Sequence, residues 1–191
     1  MNELLAPPRV WSRAEVLASP SPVPRSAGVY AWYFREAPEG VPLLGCRTFA
    51  GLTLLYVGIS PKAPPRNGRL PSTQTLYDRI RYHYTGNAAS STLRLTLGCL
   101  LPHVELRRVG SGKRIHFADD ERKVFEWMAR NAFVTWLETP EPWMVDEAII
   151  SAVSLPLNLD QNRNHPFHAT LSALRKDARQ RARELPIAPG Y

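Results

Sequence analysis

Short apolar runs in the first part of the chain predict two β-strands. The runs GVYAWYF (Gly28 to Phe34) and LTLLYVGIS (Leu52 to Ser60) are rich in the aromatic and β-branched residues that strands favour. The connection between them contains several prolines and glycines, and the first 26 residues contain five prolines. Both segments are therefore expected to be irregular, apart from one short helix around Arg13 to Ala18. The two strands can pair, and the core is expected to begin at Gly28.

After residue 60, apolar positions recur mainly at helical spacing. Thr75 can cap a helix, because Asp78 three residues later completes a capping box. Helices are predicted in the runs LYDRIRYHY, TLRLTLGCLL, DDERKVFEWMARN, EPWMVDEAIISAVS and ATLSALRKDARQRARELP. The run AFVTWLET alternates like a strand, and VELRRVGSGKRIHF resembles a short basic hairpin, although helix and strand patterns are hard to separate there.

Composition limits the kinds of protein that fit. A chain of 191 residues with 44% hydrophobic content suits one domain, and 24 Lys and Arg against 17 Asp and Glu give the net charge of +7 that is typical of a polyanion-binding protein. The two cysteines form neither a CxxC pair nor a disulfide framework. The start of the chain has no signal-peptide pattern, and no apolar run approaches the roughly 18 residues that span a membrane. We therefore expect a cytoplasmic protein without a membrane partner.

The predicted helix EPWMVDEAIISAVS contains a first candidate for chemistry. Between Trp143 and Val153 nearly every residue is apolar or small except Asp146 and Glu147, so this helix should be buried on most sides. Helical spacing puts Glu147 on the stripe of Trp143 and Ile150, where a carboxylate needs a cation, a proton or a hydrogen-bond donor. The alternative is a solvent-facing carboxylate at a gap in the packing.

Five other residues become candidates only in combination. Arg79 and His83 lie one turn apart on a predicted helix, which by itself is typical of a solvated face. Tyr30 and Tyr56 could be ordinary strand tyrosines with one bonded hydroxyl, and Asn158 could be a turn or cap residue. No phosphate-binding GxxxxGK loop, GxSxG elbow or HExxH helix is present.

In chain order, these residues resemble the GIY-YIG endonuclease family, and the likeness spans about residues 28 to 158. The two motifs that name the family correspond to Gly28-Val29-Tyr30 and Tyr56-Val57-Gly58. The resemblance implies an α+β fold with a small central antiparallel sheet of about three strands, flanked by helices. It also implies a metal-dependent endonuclease that hydrolyses phosphodiester bonds in DNA with one Mg²⁺ or Mn²⁺ ion per active site.

The resemblance implies roles for the residues that meet water and phosphate. Tyr30 would activate the attacking water, Tyr56 would line the site, and Arg79 would steady the scissile phosphate. A free tyrosine has a pKa near 10, so Tyr30 can act as a base only if cations such as Arg79 or the metal lower that value. Arginine suits the third role because its planar fork matches phosphate oxygens.

Glu147 would be the sole protein ligand of the metal. One carboxylate suffices, because Mg²⁺ keeps most of its waters and binds through one or two carboxylates plus substrate phosphate. His83 would stand beside the phosphate-binding arginine, at a position where the family often has His or Tyr. Asn158 would support the site by hydrogen bonding.

The likeness also divides the chain. Residues 1–26 would form an N-terminal arm, residues 27–160 the nuclease domain, and residues 161–191 a basic C-terminal extension with a helix. Insertions are expected within the domain, at about residues 35–53, 60–74 and 91–114. Candidate nucleic-acid contacts lie in the second insertion and the last helix, at Lys62, Arg66, Arg69, Arg175, Lys176, Arg179 and Arg183.

DNA is the expected partner, and RNA stays open. A single active site implies that cutting both strands needs a homodimer or two visits. Two other interpretations remain: a nucleic-acid-binding module that keeps the fold without turnover, and a basic interaction domain in which the tyrosines and the carboxylate are only core. The first would bind with a steep salt dependence but hydrolyse nothing, and the second would point the candidate side chains at different surfaces.

Overall fold

The computed structural model describes residues 2–65 and 70–189, and its centre is an antiparallel β-sheet. The strands are β1 (Trp11–Ser12), β2 (Gly28–Phe34), β3 (Thr48–Phe49), β4 (Leu52–Ser60), β5 (Arg107–Val109), β6 (Arg114–His116) and β7 (Ala132–Glu138). Five of them form the main sheet in the order β1-β7-β2-β4-β3, and β5 and β6 pair separately as the predicted basic hairpin.

Seven α-helices surround the strands in the described part of the chain. They are α1 (Asn2–Leu5), α2 (Arg13–Leu17), α3 (Leu76–Thr85), α4 (Thr92–Leu100), α5 (Glu121–Asn131), α6 (Pro142–Ala152) and α7 (His168–Glu184). The predicted capping box starts α3: the Asp78 amide donates to Thr75 Oγ1 at 3.3 Å, and the Thr75 amide donates to Asp78 Oδ2 at 3.0 Å. None of these helices is long and apolar enough to cross a membrane.

The α+β class is as expected, but the sheet has five strands rather than about three. The predicted strands β7, β2 and β4 are adjacent at its centre. The additional strands β1 and β3 have two residues each and come from the expected arm and the first expected insertion. Segments this short carry no periodicity, so they become strands only because the edges of β7 and β4 offer them hydrogen-bond partners. The limits of the arm, domain and extension stay a prediction.

Strand β2 is buried on both faces. Its alternating side chains Tyr30 and Trp32 belong to the apolar cluster that includes residues of α3, α4 and α5. Val29 and Tyr33 point to the opposite face and belong to the cluster that includes residues of α6 and α1. Helices α3 and α6 therefore cover opposite faces of the sheet.

The outer edge of β4 is only partly occupied by a strand. Strand β3 pairs with Leu52 and Thr53 alone. Farther along the same edge, the Leu157 amide donates to the Leu55 carbonyl at 3.1 Å. The Asn158 side chain bonds the backbone of Val57. Groups from both sheet faces can meet beside this edge.

Candidate active site

A cavity of about 340 Å³ opens beside β4 and collects four of the six sequence-predicted site residues. Its lining includes Tyr30 of β2, Tyr56 of β4, Arg79 of α3 and Asn158 of the loop after α6. The tyrosines and the arginine come from the side of the sheet that carries α3, whereas α6 approaches from the other side. The pocket therefore exists only because these two helices reach past the same sheet edge.

The two motif glycines allow close approaches at this end of the sheet. Tyr30 lies opposite Gly58 in the register of β2 and β4, and its ring packs directly over that residue. A Cβ on Gly58 would lie 2.5 Å from the Tyr30 hydroxyl oxygen. A Cβ on Gly28 would meet the backbone oxygen of Leu137. Both positions thus need glycine for space.

The Tyr30 hydroxyl is held at the back of the pocket. It shares a hydrogen bond of 2.9 Å with His83 Nε2, and the side chain is 1% exposed. Burial raises the pKa of Tyr30 above its usual value and the Asp146 carboxylate raises it too, while the neighbouring Arg79 guanidinium lowers it. The net rise in pKa leaves Tyr30 a neutral phenol at neutral pH. Tyr30 can therefore accept a proton only if it gives its phenolic proton to another group.

His83 provides a route for that proton. It is fully buried, and its Nδ1 shares a hydrogen bond of 2.8 Å with Ser91 Oγ. Burial lowers the pKa of His83 well below its usual value, and the charges of Arg79 and Arg94 lower it further. A neutral imidazole donates through one nitrogen and accepts through the other. Tyr30, His83 and Ser91 therefore form a continuous hydrogen-bonded chain.

Ser91 was not among the sequence-predicted site residues. It is the N-cap of α4, where its Oγ accepts from the Arg94 amide at 3.2 Å. A serine before an apolar helix indicates a cap, but only the tertiary structure, in which Arg94 of α4 donates to the His83 and Tyr84 carbonyls of α3, brings this hydroxyl to the histidine ring.

Arg79 and Asn158 are both fixed by backbone groups. Arg79 donates through NH1 to the Ser90 carbonyl at 2.9 Å, which leaves other N–H groups of its fork for an anion. Asn158 pairs with Val57 in both directions: the Val57 amide donates to Oδ1 at 3.0 Å, and Nδ2 donates to the Val57 carbonyl at 2.8 Å. This pairing holds the second motif at the open edge of β4.

Two carboxylates line the pocket, the buried Asp146 and the exposed Asp160, and the structure does not bring Glu147 to it. Trp143, Asp146 and Ile150 line the cavity at helical spacings of three and four residues, whereas Glu147 is exposed on another side of α6. Asp146 is 6% exposed, and its Oδ1 is buried without a hydrogen-bond partner. Burial raises the pKa of Asp146 to about 7, and the charge of Glu147 contributes to the rise.

The environment of Asp146 fits a divalent cation. A buried carboxylate oxygen without a donor is costly unless a cation or a proton satisfies it. Among residues 2–65 and 70–189, no group of three or more His, Cys, Asp and Glu side chains could hold a metal. A site with one carboxylate, water and substrate phosphate is a binding mode of Mg²⁺.

Comparison with known proteins identifies the family. The family model of the GIY-YIG catalytic domain matches residues 28–177. The chain belongs to the GIY-YIG family. Neither curated proteins nor solved structures gave a match. GIY-YIG domains are nucleases that use divalent metal ions, so the fold described above is a nuclease fold.

The expected nucleic-acid contacts of this GIY-YIG domain fall into four groups. Lys62 lines the candidate active-site pocket, and Arg66 and Arg69 lie outside the described residues. Arg175 and Arg179 of α7 line a neighbouring groove. The remaining two predicted contacts are also on α7 but are exposed and outside that groove, namely Lys176 and Arg183.

Proposed function

We propose that this protein is a metal-dependent endonuclease that hydrolyses phosphodiester bonds in DNA, with the metal held by Asp146 and the attacking water activated at Tyr30. The observation that carries the proposal is the buried Asp146 Oδ1, which has no hydrogen-bond partner and belongs to the same pocket as Tyr30 and Arg79. The sequence alone favoured Glu147 as the ligand. The exposed position of Glu147 supports assigning the role to its neighbour.

In the proposed reaction, Arg79 binds the scissile phosphate. Its free N–H groups donate to the non-bridging oxygens and compensate the charge that grows there as water attacks. Asn158 keeps the second motif in place through its two bonds to β4. Lewis-acid compensation of charge on the phosphoryl and leaving oxygens is the chemistry that a divalent ion at Asp146 supplies.

Tyr30 and His83 move the proton. The water forms its bond to phosphorus while its proton goes to the Tyr30 oxygen, and the phenolic proton of Tyr30 goes to His83 Nε2 at 2.9 Å. Ser91 Oγ accepts the hydrogen bond from Nδ1–H of the imidazolium. The bond from phosphorus to the leaving oxygen then breaks, the leaving oxygen takes a proton from solvent water, and the imidazolium returns its proton to solvent through Tyr30. Negative charge growing on the phosphate favours the imidazolium, although burial and the charges of Arg79 and Arg94 disfavour it.

Adjacent carboxylates on α6 provide a matched test of the metal ligand. Wild type, Asp146→Asn and Glu147→Gln would be incubated with labelled DNA and RNA of single-stranded, duplex and branched form, with Mg²⁺, Mn²⁺ or EDTA. We expect Asp146→Asn to lower cleavage by about 10²–10³-fold, as loss of a charge-stabilising group does, while binding is retained. We expect Glu147→Gln to cleave like the wild type, and the reverse pattern would return the metal to Glu147.

A binding module that keeps the nuclease fold without turnover is the second candidate. The near-complete burial of Tyr30 favours it, because a phenol that is 1% exposed offers water little access. This candidate predicts binding that weakens steeply with salt but no hydrolysis with any metal or substrate in the panel. Metal-dependent cleavage that depends on Asp146 would exclude it.

A further inference from the structure

A second groove continues from the catalytic pocket toward helix α7. The two cavities share Lys62 and Arg79 in their linings, and the second has a volume of about 360 Å³. Its other wall contains Arg175 and Arg179 of α7. We call this cavity the α7 groove. Four cationic side chains and no acidic ones are among its described lining residues, so its potential is positive.

Arg175 is held in the α7 groove without an ion-pair partner. Its Nε is buried with no hydrogen-bond partner, and NH1 makes only a long bond of 3.5 Å to Thr96 Oγ1. Burial lowers the pKa of Arg175, and the nearby charge of Arg179 lowers it further. In the described part of the chain, no carboxylate lies within 4.0 Å of either arginine, although Asp160 acts on Arg175 from farther away.

Another buried arginine shows how this fold treats a purely structural guanidinium. Arg94 is 1% exposed, and it is paired with the Glu121 carboxylate at 2.5 Å and bonded to the Glu121 carbonyl at 3.1 Å. A half-buried arginine without such a partner is electrostatically unfavourable unless an anion reaches it. The two arginines of the α7 groove are therefore prepared for an external anion.

We propose that the α7 groove holds the sugar-phosphate backbone of the substrate strand beside the scissile phosphate. Arg175 and Arg179 bind phosphates there, and Lys62 and Arg79 mark the junction with the catalytic pocket. The identity of the substrate rests on the proposed nuclease function. The continuity of the two cavities supports a polymer, since a strand bound at Arg79 leads directly into the groove.

The lining of the groove favours contacts to phosphates over contacts to bases. The loop before α4 contributes the small polar residues Ser90, Ser91 and Thr92, and none of the described lining residues is aromatic. Stacking of bases needs aromatic side chains, whereas phosphate oxygens need cations, hydroxyls and amides. Binding in the α7 groove is therefore independent of base sequence.

Two double variants of α7 test this proposal at equal loss of charge. Arg175→Gln with Arg179→Gln removes the cations of the groove, and Lys176→Gln with Arg183→Gln removes exposed cations outside it. Affinity for labelled duplex DNA, single-stranded DNA and single-stranded RNA would be measured as salt is varied, with EDTA to prevent cleavage. We call the variant with Arg175→Gln and Arg179→Gln the groove pair and the variant with Lys176→Gln and Arg183→Gln the control pair. The type of strand whose affinity falls in the groove pair identifies the substrate.

Counterion release sets the expected size of the effect. Loss of two phosphate contacts lowers the slope of log K against log salt by about 1.8 for duplex DNA or about 1.4 for a single strand. Affinity for the same strand should fall at least about tenfold, because hydrogen bonds to charged groups are lost. The control pair should keep the slope of the wild type. Equal slope losses in both pairs, or no loss in the groove pair, would overturn the proposal.

A small substrate separates the groove from the catalytic pocket. Bis(4-nitrophenyl) phosphate is expected to reach only the pocket, so the groove pair should lose much less activity on this substrate than on DNA. Replacing the half-buried Arg175 could unfold the protein. Arg179→Gln alone, checked by a thermal unfolding curve, therefore tests the groove with Arg175 left in place. Groove-dependent binding without any hydrolysis would support the α7 groove and contradict the proposed nuclease. Cleavage of DNA by the wild type, together with an unchanged slope of log K against log salt in the groove pair, would support the proposed nuclease and contradict the α7 groove.

Discussion

The buried carboxylate of Asp146 should make the stability of the metal-free protein depend on pH. Its pKa is raised from 3.8 to about 7 by burial. Between these values the folded state keeps a proton that the unfolded state has lost, so the free energy of unfolding falls as pH rises through this window. Asp146→Asn removes the titrating carboxyl, so the free energy of unfolding should depend less on pH in this variant.

The expected size follows from the two pKa values. Each pH unit inside the window contributes about 1.4 kcal/mol, and allowing for the ends of the titration, the change from pH 5 to pH 8 is about 2.5 kcal/mol. The stability of Asp146→Asn relative to the wild type should rise by that amount over this range. The change with pH is the quantity to measure, because the absolute difference also contains the new hydrogen bonds of the amide.

Urea unfolding in EDTA at pH 5, 6, 7 and 8 measures this difference. Glu147→Gln is the comparison variant: it removes an exposed carboxylate whose charge contributes to the raised pKa of Asp146, so it should keep the pH dependence of the wild type in weakened form. Adding Mg²⁺ at pH 8 should stabilise the wild type and not Asp146→Asn, because only the folded wild type has the ligand. A wild type and an Asp146→Asn protein with parallel pH dependence would refute the assignment of Asp146 as a buried, unpaired carboxyl.

Three further substitutions test the geometry around the pocket. Gly58→Ala should displace the Tyr30 ring, lowering stability by about 1–3 kcal/mol and reducing cleavage; an unchanged urea midpoint would contradict the close contact. Ser91→Ala should cost about 1 kcal/mol as a lost cap and slow cleavage beyond that, while Ser91→Thr should restore both; full activity in the alanine variant would remove the hydroxyl from the proton chain through His83. Asn158→Ala should lower the free energy of unfolding by about 2 kcal/mol, because two bonds to the backbone of β4 are lost. A loss under about 0.5 kcal/mol in urea unfolding would show that this pairing is not needed.

Much of the fold was predictable because its signals are local. The strands β2 and β4 follow the two apolar runs read from the sequence, and α3 starts at the predicted Thr75 cap. The candidates Tyr30, Tyr56, Arg79 and Asn158 were named from short motifs in chain order, and they line one pocket. Such motifs can be recognised without knowledge of the packing, because they match the family's residues in type and in chain order.

The sequence by itself determined the helices, the central strands and the kinds of residues available for chemistry, since capping, periodicity and residue type act within a few positions of the chain. Only the tertiary structure decided the edge strands β1 and β3, the contact of Ser91 with His83, and the choice between Asp146 and Glu147. Helix α6 is apolar around most of its circumference, so its pattern could not reveal which of two adjacent carboxylates faces the pocket. Packing of that helix against the edge of β4 made the choice, because burial on one side of a helix depends on partners that are distant in sequence.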